Sequence, residues 1–103
     1  MTADEFREIA LSFPETEERS HMQHPDFRFG GKIFATIGPD GSWGMVKLTP
    51  VQQQEFMRIS TALKPASGKW GEGGATIITL ADADEKLVWD ALKTARLNIG
   101  SKT

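Results

Sequence analysis

Residues 32–48 read KIFATIGPDGSWGMVKL. Ile33, Ala35 and Ile37 alternate with Phe34 and Thr36, the period of a strand that turns one face to a core. The tetrad GPDG at 38–41 is a turn signal, because Pro39 presets its own φ and Gly41 tolerates a positive one. WGMVKL supplies the return strand, so the stretch predicts an antiparallel hairpin. Upstream, Pro25, Gly30 and Gly31 break any helix from Glu17 onward, and Phe27 and Phe29 share one strand face. Strands thus follow one another at hairpin spacing before Leu48, the pattern of an antiparallel sheet.

Helices frame these strands. TADE at 2–5 is a capping box, and Phe6, Ile9, Ala10 and Phe13 follow at helical spacing, which predicts a helix over Ala3–Ser12 ended by Pro14. In LTPVQQ, Thr49 is a good N-cap, Pro50 suits the first helical position and Gln52 completes a second box. Phe56, Ile59 and Leu63 mark the buried stripe of that helix. SGKWGEGG at 67–74 holds four of the ten glycines and reads as a mobile or tightly bent loop ahead of the strand ATIITL. Asp82 caps a closing helix whose stripe is Val88, Leu92, Ala95 and Ile99, and the tail GSKT frays. The order α-β4-α-β2-α predicts an α+β two-layer sandwich, an antiparallel sheet with helices on one face, as a single domain over residues 1–103. Its other face is open to water, and an unbroken register puts Arg28, Lys32 and Lys47 there.

Composition narrows the chemistry. With 103 residues and 39% apolar content the chain can bury one real core. It has no cysteine, which excludes disulfides, thiol catalysis and thiolate metal sites. The start MTADEFREIALSF carries three acids before Leu11 and does not read as a secretory signal, and no apolar run approaches a bilayer span. A cytoplasmic protein is expected. The net charge is only −2, but it is unevenly spread: residues 1–18 hold one base against six acids, and residues 19–69 hold seven bases against three acids. Local patches of this kind, rather than totals, set attraction to anionic partners.

Both histidines lie in RSHMQHPDFRFGGK, residues 19–32. His21, His24 and Asp26 form the nearest approach to a metal set, but residues three apart on a regular strand diverge, so the pair converges only if Gln23 or Pro25 bends the chain. No metal or cofactor is expected. Ser20 beside His21 has no orienting acid in sequence, and GKWGEGG lacks the Lys-Ser/Thr ending of a phosphate-binding loop, so no enzyme is expected either. Anion binding fits better. Arg19, Arg28, Lys32, Lys47, Lys64 and Lys69 supply charge, with His21, His24 and Trp70 as groove or stacking contacts.

The runs SHMQHPDFRFGGKIFATI, WGMVKLTPVQQQEF and GKWGEGGATIITL, followed by a closing helix, resemble the MmcQ/YjbR family of small bacterial proteins. The resemblance runs from about Phe6 to Ala95. Its specific part is His24, Pro25, Phe27, Arg28, Gly31, Lys32, Phe34 and Ala35, then Val46, Lys47, Leu48 and Pro50, then Trp70. It implies a double-wing-like fold and a module that contacts double-stranded DNA through its sheet face and hairpin wings, and it draws attention to Arg28, Lys32, Lys47 and Trp70; the charge pattern adds Arg19, His21, His24 and Lys69 to the expected contact residues. The alternative is a non-enzymatic module that binds a protein or a small anionic ligand on the same face and the Trp70 loop. Either would act as a monomer or weak dimer. The DNA reading requires the cations to converge on one concave surface, free of carboxylates.

Overall fold

A computed structural model describes residues 1–100, so the expected fraying of the tail concerns residues that, beyond Gly100, lie outside the described ones. Helix α1 spans Ala3–Ser12, and its capping box closes as expected, the Thr2 hydroxyl accepting from the Glu5 amide and the Glu5 carboxylate from the Thr2 amide. Four strands follow: β1 (Glu17–His21), β2 (His24–Phe29), β3 (Lys32–Ile37) and β4 (Trp43–Lys47). Then come α2 (Pro50–Ile59), β5 (Leu63–Pro65), α3 (Gly68–Glu72), β6 (Ala75–Thr79), a 3₁₀ turn (Leu80–Asp82) and α4 (Glu85–Gly100). The sheet has six strands in the order β1-β2-β3-β4-β6-β5, each pair antiparallel.

The core lies between one sheet face and the helices. Phe6 and Ala10 of α1 and Val88, Ala91, Leu92 and Ala95 of α4 meet Phe27, Phe34, Ala35, Val46 and Ile78 of the sheet. Removing each large apolar side chain from water stabilises the fold by about 1.5–3 kcal/mol. Among the described residues no helix is long and apolar enough to cross a membrane.

Four local expectations are corrected. A β-bulge interrupts the β2–β3 ladder, Phe27 pairing with Ala35 but Arg28 with Ile33. The inserted Phe34 joins Ala35 and Ile37 in the core, while Ile33 turns to the open face, so the alternation over residues 33–37 breaks at Phe34. Second, α2 ends at Ile59, which is 72% exposed, and Leu63 begins β5 opposite Ile78. The buried residue of α2 is the polar Gln53. Third, the cap of α4 is Asp84, whose carboxylate accepts from the Leu87 amide, while Asp82 ends the 3₁₀ turn.

The fourth correction concerns the glycine-rich stretch, which folds as α3. The Gln53 side-chain amide donates to the Gly71 and Ala75 carbonyls and the Thr76 hydroxyl, each at 3.1 Å, tying α2, α3 and β6 together. Gly71 permits the close approach, since a Cβ there would overlap the Ala66 carbonyl. The helix that carries Lys69 and Trp70 is therefore pinned from below. Gln53→Ala removes the side-chain tie, although the Gly71 and Ala75 carbonyls keep the Gly74 and Ala66 amides and the Thr76 hydroxyl keeps the Gly74 carbonyl. The loss is expected to cost about 1–2 kcal/mol, read as a lower urea midpoint with an unchanged m-value.

Candidate functional site

The face away from the helices is a groove of about 920 Å³, within the range of small-molecule sites. Cross-strand pairing sets its floor. Arg19, Asp26, Thr36, Met45, Ile77 and Lys64 form one transverse row over all six strands. Beside that row, His21 pairs with His24 and Trp43 with Thr79, while on its other side Lys47 pairs with Ala75. Trp70 of α3, 68% exposed, stands over the Lys47 end.

At the histidine end the chain bends between the two rings. Met22 and Gln23 both have positive φ, 48° and 67°, which makes a two-residue hairpin turn without the glycine or asparagine that usually marks one. His21 and His24 thereby become cross-strand neighbours, with ring centroids 5.7 Å apart and planes at 15°. His24 meets the Trp43 indole edge-on at 5.9 Å. That indole lies flat on Gly38, where a Cβ would overlap it.

Beneath the histidines sits Asp26, fully buried although it belongs to the open face. Its carboxylate accepts from Arg28 Nε at 2.7 Å and Arg28 Nη2 at 3.1 Å, and lies 2.6 Å from His21 Nδ1. The bonded Arg28 guanidinium holds the Asp26 carboxyl below the usual aspartate range, against burial, and His21 adds to the effect. Among the described residues no group of three His, Asp or Glu side chains is arranged to hold a metal ion.

The cations expected to act together are divided. Arg19 pairs with Glu17 at 3.1 Å, and Arg28 with Asp26. Lys32 falls on the opposite side: it is the cross-strand partner of Phe29, whose ring lies under the Arg96 guanidinium of α4 at 3.4 Å. The bulge at Phe34 is the reason, because it reverses the facing of the β3 start. Lys47 and Lys64 line the groove, and Lys47 Nζ lies 5.4 Å from the Trp70 ring centre. Lys69 and Trp70 border a smaller neighbouring hollow of about 370 Å³. Neither Lys47, Lys64 nor Lys69 is ion-paired among the described residues. Candidate-site reasoning from sequence missed Thr36, Met45 and Ile77 as groove residues, although strand alternation against Ala35, Val46 and Ile78 carries the signal for all three.

Because the folded Asp26 ionises more readily than in an unfolded chain, it contributes stability above the ordinary aspartate range, and this is lost as pH falls through the lower folded value. Urea midpoints are expected to drop as pH is taken below about 4, and Asp26→Asn to lower the midpoint at pH 7 while flattening that drop.

The YjbR family model matches residues 11–97. No curated protein sequence matches the chain. Among solved structures, a Deinococcus radiodurans protein, DR2400, described as a DUF419 domain, superposes with a TM-score of 0.82 at 17% identity. The match covers 98% of this chain and 80% of that one. At that identity the likeness is one of fold. The family model, spanning most of the sequence and every strand from β1 to β6, is the closer tie: this chain belongs to the YjbR family.

Proposed function

We propose that this chain is a non-catalytic binding module whose open sheet face takes a small amphipathic anion. The observation that carries the reading is a groove with an apolar floor at Met45 and Ile77 and, at one end, two lysines, Lys47 and Lys64, that have no ion-pair partner among the described residues. An anionic head between those ammonium groups makes charge-assisted contacts beside Trp70, while an apolar body covers the floor. Binding rather than turnover is inferred because His21, the oriented base on the wall, is hydrogen-bonded to Asp26 and to no hydroxyl nucleophile among the described residues.

A second reading places duplex DNA at the same end, and the observation favouring it is that Lys47, Lys64 and Lys69 surround the exposed Trp70. Against it, Arg19 and Arg28 spend their charge on Glu17 and Asp26, and Lys32 lies on the other side.

Calorimetric titration with decanoate tests the first reading. Micromolar affinity is expected, weakened about tenfold by Lys47→Ala or Lys64→Ala and unchanged by Lys69→Ala, whereas absence of binding at millimolar decanoate rejects it. Fluorescence anisotropy with a labelled duplex tests the second. DNA held by the lysine end would bind at low salt with a logarithmic salt slope of about −2 to −3 and weaken on Lys69→Ala, and no binding at ~100 µM protein in low salt, the weak end of the usual non-specific range, rejects it.

A further inference from the structure

The histidine end of the groove specifies what the far end of the ligand must carry. Asp26 is ionised over the working pH range, since Arg28 holds its carboxyl low, and an ionised carboxylate only accepts hydrogen bonds. The 2.6 Å contact to His21 Nδ1 therefore requires the proton to sit on Nδ1. In the neutral ring that leaves Nε2 as a bare lone pair. His21 is a groove-lining residue, and no described group donates to that nitrogen. On the groove floor, across from Asp26 on β3, the Thr36 hydroxyl is buried and has no hydrogen-bond partner among the described residues. One end of the groove thus offers an acceptor and an unspent hydroxyl, and the other offers two ammonium groups.

Resting on the anion-binding reading above, we propose that the ligand class is an elongated hydroxy acid: a carboxylate held by Lys47 and Lys64, an apolar chain across Ile77 and Met45, and a terminal hydroxyl that donates to His21 Nε2 next to Thr36. Strand spacing sets the length. Thr36 lies three strands from Lys64, roughly 14 Å at about 4.8 Å per strand. The lysine stems shorten that span and the reach to His21 on β1 lengthens it. A carboxylate-to-hydroxyl separation of about 10–15 Å follows, the length of a ten-carbon chain.

The donor requirement separates this ligand from its near relatives. 10-Hydroxydecanoate carries a donor, 10-methoxydecanoate keeps only the acceptor, and decanoate has neither. At pH ~8.5, calorimetry is expected to give 10-hydroxydecanoate about tenfold tighter binding than either of the others. His21→Phe keeps a ring beside His24 and removes the acceptor; it is expected to abolish that preference, read as the ratio of hydroxy- to methoxy-acid affinity in the same variant. Thr36→Val provides an independent variant and is expected to reduce the preference in part. Equal binding of the hydroxy and methoxy acids to the unmodified protein, or a preference that survives His21→Phe, overturns the proposal. If decanoate binds through Lys47 and Lys64 but the preference is missing, only the hydroxy-acid assignment falls. If no carboxylate binds at all, the anion-binding reading falls with it.

Discussion

The buried carboxylate of Asp26 organises the open side of the sheet. An ionised group taken fully out of water survives only with partners, and here Arg28 grips it with two nitrogens while His21 closes over it. Two properties of the surface follow from that one arrangement. Arg28 is neutralised where it stands, and the His21 ring is held in one tautomer and one orientation. With Arg19 also paired to Glu17, the most basic-looking run of the sequence becomes nearly neutral at this end of the sheet. On this side of the sheet, the positive charge without an ion pair among the described residues is displaced to Lys47 and Lys64 at the other end of the groove and to Lys69 in the hollow beside it. The polarity of the groove is thus a product of pairing, not of residue counts.

The recognition end is prepared differently. Trp70 is largely exposed, yet its helix is fastened through Gln53 to the carbonyls of Gly71 and Ala75. A side chain presented on a pinned support loses less freedom on binding than one on a free loop, so more of the contact energy remains as affinity. The polar core residue of α2 therefore acts at the surface, through the backbone it holds.

Much of this architecture can be read from the sequence, and the exceptions have identifiable causes. Both capping boxes are spelled by residues that bond within one turn, so Thr2, Glu5, Thr49 and Gln52 announce their helices locally. The hairpin at 38–41 likewise carries its own turn chemistry. By contrast, the turn at Met22–Gln23 uses two residues with no left-handed preference, so nothing in MQ reveals that His21 and His24 face each other. The bulge at Phe34 is equally silent. An extra residue on a strand has no composition of its own, yet it moves Lys32 to the other side of the sheet and Ile33 into the groove. The burial of Asp26 needed tertiary context too: a charged residue in strand register with Thr36 reads as solvated until Arg28 and His21 are seen to cover it. The YjbR assignment and the Deinococcus structure agree with the family and the α+β fold, and neither speaks to what the open face holds.

One determinant of the hollow has no functional group at all. Gly38 lends the Trp43 indole a bare stretch of backbone to rest on, and the ledge formed by His21, His24 and Trp43 depends on that missing methyl. Tolerance to exchange at this position is set by clearance rather than by charge, polarity or turn preference. A catalogue of recognition residues drawn up from side-chain chemistry passes over it, although it gives shape to one whole wall.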